Sequence, residues 1–375
     1  MQTEGGMGNK PVRVIISGGG TGGHIYPAIA IADAIKKLQP NAELLFVGAE
    51  GRMEMQKVPA AGYKIEGLQI SGIQRNMSLQ NLGFPLKLLK SVLHSKRIIS
   101  AFRPDVAVGV GGYASGPLLF MAGLSGIPTL IQEQNGYAGL TNKMLARRAN
   151  KICVAYPGME RFFPGTKLVQ TGNPVRADIK ISADLKQEAL KYFGLTAGKP
   201  VLLVIGGSLG ARTINQSIAA GLQTLADAGI QVIWQTGKTW WPHAEAILKD
   251  LTLPGIHITE FISRMDLAYN AADAVVSRAG ALSISELSLV KLPVILVPSP
   301  NVAEDHQTKN AKALSDRGAA ILVKDFEARN LLVNEAVALL ANKQTMVQLS
   351  ACIAEFAKPN AAEDIALQVL NLVGR

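Results

Sequence analysis

The sequence has little of the chemistry by which several protein classes are recognised. Its two cysteines, Cys153 and Cys352, lie far apart among 375 residues, which indicates a reduced, cytoplasmic protein without a disulfide framework. The five histidines are isolated from other metal-ligating residues, so we expect no metal site. Aromatic residues make up only 5% of the chain, and no nucleic-acid-binding motif occurs. We therefore expect no nucleic acid among its partners.

Long hydrophobic runs are also missing, with one exception. Residues 106–132 contain no Asp, Glu, Lys or Arg, and this stretch is long enough to cross a bilayer. Six glycines and two prolines interrupt it, however, and it can be divided into a strand, a glycine turn, a helix and a second strand. We interpret it as a buried α/β segment, with a membrane span as the alternative. The N-terminal residues lack the apolar core of a secretory signal.

The net charge of +10 indicates an anionic partner, such as acidic lipid or a phosphorylated small molecule. Short apolar runs alternate with helical stretches along the chain. The runs are VRVIIS, ELLFVG, VAVGV, TLIQ and KICVA, then VLLVIGG, QVIWQTG, IHITEF, AVVS and PVILVP. Continuous apolar runs of this length are typical of parallel strands covered on both faces. The predicted fold class is therefore α/β with doubly wound parallel sheets.

One supersecondary unit occurs twice. A strand, a glycine-rich turn and an amphipathic helix begin at Val12 and again at Val201, 189 residues later. The repeat predicts two Rossmann-like domains, over residues 1–172 and 173–358. We expect the C-terminal helix, within 359–375, to pack back on the first domain. The carboxyl ends of both sheets would face a cleft, which suits a reaction with two substrates.

The first glycine turn, GGGTGG at residues 18–23, has the spacing of a dinucleotide-binding motif. Glu50, after the second apolar run, would bind the ribose in that interpretation. His24 favours a different one, because a neutral imidazole at the helix start could take a proton from an attacking hydroxyl. A turn without a ligand, and a histidine bonded only to its own turn, are the structural alternatives.

The second half contains two further turns that could hold phosphate groups. The turn at residues 206–208 ends in Ser208 and supplies amides and a hydroxyl. The sequence ALSISE (281–286) opens a helix whose amides could receive a diphosphate. Glu286 could accept hydrogen bonds from a ribose diol, or it could instead close a capping box with Ser283.

Two polar clusters follow later apolar runs. They are Glu-Gln-Asn at residues 133–135 and Asp-His-Gln at residues 305–307. Amide side chains at strand ends are suited to recognising sugar hydroxyls. Ordinary polar loops are the alternative for each cluster.

Seven motifs, taken in order, resemble those of one family. They are GGTGGH (19–24), GGYASGP (111–117), QEQNGYAGLTNK (132–143), GNPVR (172–176), GGSLGA (206–211), RAGALSISE (278–286) and DHQTKNA (305–311). The family is MurG, the peptidoglycan N-acetylglucosaminyltransferases acting on undecaprenyl-diphospho-muramoyl-pentapeptide. The resemblance covers essentially the whole chain. At one position the chain departs from the usual HEQN, because Gln132 replaces the histidine.

The resemblance implies a GT-B fold of two Rossmann-like domains. It implies inverting, metal-independent transfer of N-acetylglucosamine from UDP to the lipid-linked muramoyl 4-hydroxyl, without a cofactor. On this basis we expect His24 to be the general base. The residues placed at the UDP-N-acetylglucosamine site are Thr21, Gly22, Gly23, Asn135, Arg176, Ser208, Ile262, Ala281, Leu282, Ser283, Ile284, Ser285, Glu286 and Gln307.

These residues have distinct roles by resemblance. Ile262 and Arg176 would lie near the uracil and the domain joint, and Ser208 with 281–286 would hold the diphosphate. Glu286 would bind the ribose. Asn135 and Gln307 would read the sugar, and the Thr21-Gly22-Gly23 turn would approach the donor from the other domain.

A polyprenyl acceptor lies in a bilayer, so we expect a surface that binds anionic lipid. Lys87, Lys90, His94 and Arg97 recur at helical spacing, and an apolar segment precedes them. The predicted membrane contacts are Ile73, Leu79, Leu82, Phe84, Lys87 and Lys90. A solvated basic helix face is the alternative. The expected location is the cytoplasmic face of the bacterial plasma membrane, where other cell-wall synthesis proteins could bind.

Other activities remain open from the residues alone. An NAD-dependent oxidoreductase would use residues 18–23 and Glu50 but leaves the turns of the second half unexplained. A UDP-N-acetylglucosamine 2-epimerase would share the double fold and donor site but needs no lipid surface. A non-catalytic nucleotide-sugar sensor would need neither His24 nor a lipid acceptor.

Overall fold

The computed structural model describes residues 10–70, 84–175, 179, 181–207, 209–250, 252–302 and 305–373. The chain divides into two compact units. The first unit is made of Met1–Arg176 and Asn360–Arg375, and the second of Ala177–Pro359. Each contains a parallel sheet with helices packed against it, which confirms the doubly wound α/β class.

The first unit is built on seven strands. They are Arg13–Ser17 (β1), Glu43–Ala49 (β2), Lys64–Leu68 (β3), Val106–Gly109 (β4), Thr129–Glu133 (β5), Lys151–Val154 (β6) and Leu168–Gln170 (β7). Their order is β3-β2-β1-β4-β5-β6-β7, and every neighbouring pair is parallel. The register places Ser17 of β1 beside Gly109 of β4, so these two strands end together.

Helices cover this sheet. They are Gly22–Leu38 (α1), Glu54–Ala60 (α2), Phe84–Phe102 (α3), Ser115–Leu124 (α4), Leu140–Leu145 (α5) and, from the end of the chain, Ala361–Leu370 (α14). Helix α14 packs on α1, and its Ile365 and Val369 are fully buried in the same apolar cluster as Ile25 and Ile31. The first unit therefore includes the C-terminal helix as part of its core.

The second unit repeats the arrangement. Its strands are Val201–Ile205 (β8), Gln231–Gln235 (β9), Ile256–Thr259 (β10), Ala274–Ser277 (β11), Val294–Leu296 (β12) and Ile321–Leu322 (β13). Their order is β10-β9-β8-β11-β12-β13, again all parallel. Its helices are Ala183–Tyr192 (α6), Arg212–Asp227 (α7), Trp241–Asp250 (α8), Met265–Ala271 (α9), Ala281–Val290 (α10), His306–Ser315 (α11), Ala328–Ala341 (α12) and Lys343–Ala354 (α13).

Strand order determines where functional turns lie. In both sheets the chain starts in the middle and reverses direction, between β1 and β4 in the first unit and between β8 and β11 in the second. Ligands of doubly wound folds bind outside the carboxyl ends of the strands at this reversal point. The glycine-rich turns that follow β1, β4, β8 and β11 are therefore the segments at which to seek a site.

The apolar runs locate most strands but not all. The apolar runs did not predict strands β3, β7 and β13. KIEGL, which forms β3, alternates apolar with polar residues, and β7 and β13 have only three and two residues. Residues 106–132 form β4, α4 and β5, so the membrane-span interpretation of this stretch is wrong. Among the described residues, no helix combines the length and hydropathy needed to cross a bilayer.

Candidate functional site

His24 lies on the first turn of α1, immediately after the glycine turn that ends β1. Its backbone N–H donates to the carbonyl of Thr21 at 3.0 Å, and its ring Nδ1 lies 3.3 Å from the Thr21 hydroxyl. Thr21 caps the helix in an extended conformation, and Gly22 and Gly23 follow it as the first helical residues. The ring is therefore held at the carboxyl end of the sheet.

A second glycine turn, after β4, packs against the first. A Cβ on Gly111 would lie 2.8 Å from Nε2 of His24, and a Cβ on Gly112 would lie 2.4 Å from the carbonyl oxygen of Gly19. Both glycines have positive φ, +95° and +86°. Residues with a side chain would therefore be strained and would also collide with the first turn. The motif GGYASGP thus lets a backbone segment approach His24.

Ser115 fixes the contact between these two turns. Its buried hydroxyl lies 2.8 Å from the carbonyl oxygen of Ser17 and 2.8 Å from that of Gly111. One hydroxyl thus joins the end of β1 to the turn that follows β4, and this bond maintains the register in which His24 meets Gly111.

Glu54 is a contributor to this site that the sequence analysis missed. Its fully buried carboxylate accepts the amide N–H of Gly20 at 2.9 Å and that of Ala49 at 3.0 Å. An acid in the first turn of a helix usually only complements the helix dipole at the surface, so the sequence carries no clear signal for this role. Glu50, the acid of the dinucleotide interpretation, is exposed instead.

The segment after β5 is organised around Glu133. Its buried carboxylate accepts hydrogen bonds from the amide of Gly139 at 2.9 Å, from Nδ2 of Asn142 at 2.8 Å and from the amide of Asn135 at 3.1 Å. Asn135, a predicted sugar-binding residue, is partly buried, and its Nδ2 lies 3.4 Å from the same carboxylate. Gln132 is fully buried and donates to Asn173 at 3.1 Å, so it has a structural role at the departure from HEQN.

The environment of His24 favours the neutral imidazole. Burial of the ring lowers the pKa below the ordinary value of 6.5, while the carboxylates of Glu133 and Glu54 and the backbone of Gly19 oppose this shift. Because the net direction is downward, the ring is uncharged near neutral pH. A neutral imidazole can accept a proton from a hydroxyl.

In the second unit, the turn between β11 and α10 is held from two sides. The Arg278 guanidinium donates to the carbonyls of Val297 and Pro298 at 3.0 and 3.2 Å, and it pairs with Asp325. Nδ2 of Asn310 donates to the carbonyl of Ala279 at 3.2 Å. These bonds position the amino terminus of α10.

The start of α10 has the features of an anion site. Gly280 caps the helix without a side-chain hydrogen bond, and the first turn contains no acidic residue. Ala281, Leu282 and Ser283 follow directly, and Ile284 is the first residue whose amide bonds back, to the carbonyl of Gly280 at 3.0 Å. Unpaired amides and the positive end of the helix dipole are the combination that phosphate groups bind.

Glu286 lies one turn further along α10 and is partly buried. Its Oε2 accepts the hydroxyl of the buried Tyr269 at 2.8 Å. The capping-box interpretation is wrong, because Gly280 is the cap and Ser283 lies inside the helix. Ser285 donates to the carbonyl of Ala281 at 2.9 Å, so its hydroxyl is turned along the helix.

Gln235 joins two other segments of the predicted donor site and was not anticipated. Its amide donates to the carbonyl of Gly207 at 3.2 Å and accepts the N–H of the buried Ile262 at 2.9 Å. The turn after β8 and the turn after β10 are thereby fixed to each other. Ser208 and Arg176 lie outside the described residues.

Gln307, on the first turn of α11, is also partly buried. Its Oε1 accepts the backbone amide of Ser299 at 2.9 Å, which leaves the Nε2 amino group as the end that could donate to a ligand. Asp305 caps this helix with a φ of +49° and accepts the hydroxyl of Thr308 at 2.6 Å. The Asp-His-Gln cluster thus begins a helix, and the interpretation as an ordinary polar loop is wrong.

The predicted membrane surface is described in part. Ile73, Leu79 and Leu82 lie outside the described residues, and the side chain of Phe84 is not described either. On α3, Lys87 and Lys90 are exposed. Leu86, Leu89 and Leu93, on the same helix, are each more than half exposed. A helix that presents leucines and cations together to solvent has the composition of an interfacial helix.

Family models match both units. The model for the N-terminal domain of glycosyltransferase family 28 matches residues 14–154, and the model for the C-terminal domain of that family matches residues 201–365. The matched ranges contain both pairs of glycine-rich turns.

Relatives match along nearly the whole length. A protein of Cytophaga hutchinsonii is 59% identical over 97% of this chain and 98% of its own. One of Bacteroides fragilis is 56% identical over 96% of each. Both are named UDP-N-acetylglucosamine–N-acetylmuramyl-(pentapeptide) pyrophosphoryl-undecaprenol N-acetylglucosamine transferase.

Solved structures match as well. The crystal structure of Acinetobacter baumannii MurG has a TM-score of 0.74 and 28% identity, over 96% of this chain and 100% of that one. A UDP-N-acetylglucosamine 2-epimerase has a TM-score of 0.65 over 96% of this chain and 95% of that one, at only 12% identity. The latter likeness shows the fold alone. The GT-B fold expected from the motifs is confirmed.

The close approach of Gly112 to the first turn can be tested with a matched pair of glycines. Gly126 also has a positive φ, +73°, but open space around its Cβ position. We expect Gly126→Ala to lower the free energy of unfolding by about 1–2 kcal/mol, because alanine is strained at this φ. Gly112→Ala should cost about 1–3 kcal/mol more from overlap with Gly19. Urea unfolding followed by circular dichroism measures both, and equal losses would contradict the contact.

Proposed function

Because the chain belongs to glycosyltransferase family 28, we propose that it makes the lipid-linked disaccharide of peptidoglycan. It transfers N-acetylglucosamine from UDP-N-acetylglucosamine to undecaprenyl-diphospho-N-acetylmuramoyl-pentapeptide. The observation that carries this function is the 59% identity, over 97% of the chain, to a relative named for that reaction. The motifs at 19–24, 132–143 and 278–286 lie within the matched length.

The second unit would bind the donor. The unpaired amides at the start of α10 would receive the diphosphate, and Glu286, held by Tyr269, would bind the ribose. Ile262, whose N–H donates to Gln235, would lie near the uracil. Gln307 would read the sugar. As the bond between the anomeric carbon and UDP breaks, negative charge builds on the diphosphate, and helix amides stabilise it by several kcal/mol, in the role that a metal ion fills elsewhere.

The first unit would supply the general base. In this proposal the neutral ring of His24 accepts the proton of the muramoyl 4-hydroxyl. The oxygen then forms a bond to the anomeric carbon on the face opposite the departing UDP, which inverts the configuration at that carbon. The turn at 111–112 fixes the ring, and Asn135, fixed by Glu133, would contact the sugar.

The function is tested by UDP release from UDP-N-acetylglucosamine with and without the lipid-linked muramoyl-pentapeptide. We expect UDP release only when the acceptor is present, because UDP leaves as the acceptor hydroxyl oxygen forms its bond to the anomeric carbon. Release without acceptor would identify a hydrolysing epimerase instead. Absence of release in both, with an acceptor that a known transferase consumes, would also contradict the proposal.

His24→Ala tests the base. We expect kcat to fall by about 10²-fold or more, with the donor KM unchanged within about threefold, because the groups proposed to bind the uracil, ribose and diphosphate belong to the second unit. In the unaltered enzyme kcat/KM should decline on the acid side with an apparent pKa below 6.5, since protonation removes the base. The exposed His243 provides the control, and His243→Ala should change neither kcat nor the pH dependence of kcat/KM. A kcat within about threefold in His24→Ala would disprove the role.

We also propose that α3 attaches the enzyme to the anionic cytoplasmic face of the plasma membrane. The support is its row of exposed leucines next to Lys87, Lys90 and Arg97. The apolar residues Ile73, Leu79 and Leu82 precede the helix in the sequence, and Phe84 is its first residue. Leucines would enter the lipid interface while the cations contact phosphate headgroups. This surface would bring the enzyme to its polyprenyl acceptor.

Charge reversal tests this surface. Each cation near an anionic membrane contributes about 1 kcal/mol, so Lys87, Lys90 and Arg97 changed together to Glu should weaken vesicle binding by about 10²-fold. Vesicle co-sedimentation at constant salt measures it. The exposed Lys199, Lys343 and Lys358 of the second unit provide a control with the same charge change. Equal losses in the two triple variants would show that net charge, not α3, determines binding.

A further inference from the structure

We propose that Glu54 is a positioning residue for His24: its buried carboxylate fixes the first glycine turn, which leads directly into His24, and places a negative charge at that turn. The catalytic consequence rests on the proposed function, in which His24 is the base. The effect on the turn and on the ring does not, and it can be measured separately.

The geometry around Glu54 is that of a socket built for a carboxylate. Its two oxygens accept one amide each, from Gly20 in the first turn and from Ala49 at the end of β2. Two glycines make room for it, since a Cβ on Gly19 would lie 2.1 Å from its Oε1 and one on Gly48 would lie 2.5 Å from its Cγ. Glu54 thus holds the turn that leads into His24 against the neighbouring strand.

Only a carboxylate can satisfy both amides. A carboxylate accepts at both oxygens, whereas a glutamine at this position would present its NH₂ to one of the two N–H donors. In the described part of the chain no basic side chain pairs with Glu54, so the two amide bonds are what offset its burial. Glutamine would therefore loosen either Gly20 or Ala49, although its size is nearly the same.

The negative charge of Glu54 acts on the His24 ring in the same direction as that of Glu133. Glu54 approaches from α2 and Glu133 from β5, and both stabilise the protonated imidazole against the effect of burial. The turn after β4 brings the uncharged Gly111 to the ring, and Thr21, which caps α1, is also uncharged. Glu54 therefore offsets burial, so that His24 stays basic enough to accept a proton.

The decisive variant is Glu54→Gln, with Asp105→Asn as its matched control. Asp105 accepts the backbone amide of Arg13 at 2.8 Å, at the opposite end of β1 from His24. Each substitution removes one carboxylate that accepts a backbone amide near one end of β1. The carboxylate of Glu54 is buried and that of Asp105 is partly buried. The pKa of His24 is measured by NMR titration of ¹³C-labelled histidine, with the signal assigned by its absence in His24→Asn.

We expect Glu54→Gln to lower the His24 pKa below that of the unaltered protein and to reduce kcat more than tenfold, with donor KM unchanged. Asp105→Asn should leave both the pKa and kcat unchanged. An unchanged His24 pKa in Glu54→Gln, or an equal shift in Asp105→Asn, would overturn the inference. If the pKa shifts while His24→Ala retains full turnover, the proposed base is wrong but the positioning of His24 by Glu54 stands.

A second variant keeps the test valid if Glu54→Gln does not fold. Gly48→Ala places a methyl group against Cγ of Glu54 from within β2, without changing any charge or touching the first turn. It should displace the carboxylate and lower the His24 pKa in the same direction. A folded Gly48→Ala protein with the original His24 pKa would contradict the proposed contact.

Discussion

Contact between two glycine turns is the constraint on which the first unit depends. The turns after β1 and β4 meet because these strands are neighbours that end together, and they can meet only where side chains are absent, at Gly111 and Gly112. The ring of His24 lies directly against this contact, beside Gly111. The position of His24, its partial burial and the lowering of its pKa by that burial all follow from the contact between the two turns.

The two units use the same strand order for different chemistry. In the first, the amide of Gly20 is already occupied by the Glu54 carboxylate, so this turn has an internal anion where a Rossmann turn binds diphosphate. In the second, side chains that donate to carbonyl oxygens fix the turns, among them Arg278, which is paired with Asp325. Gln235 and Asn310 bond to carbonyl oxygens, which leaves the amides at the start of α10 for a ligand. In the proposed function, one unit thus supplies the base and the other the anion site.

The sequence predicts the strands more completely than it predicts the site. Continuous apolar runs such as VLLVI identify buried parallel strands, and glycine turns after them identify the reversal points, because both signals are local. KIEGL was missed because an edge strand alternates polar residues. The socket of Glu54 was missed because it depends on Gly20 and Ala49, which come together only in the fold. The roles of the predicted site residues all stay predictions, and Arg176, Ser208 and the segment before α3 lie outside the described residues.

The most direct test of this division of roles is a crystal structure of the full chain with UDP. We expect the diphosphate within hydrogen-bond distance of the amides of Ala281, Leu282 and Ser283, and the carboxylate of Glu54 still bonded to the Gly20 amide. Diphosphate bound instead by the amides of residues 20–23, with Glu54 displaced, would contradict the account.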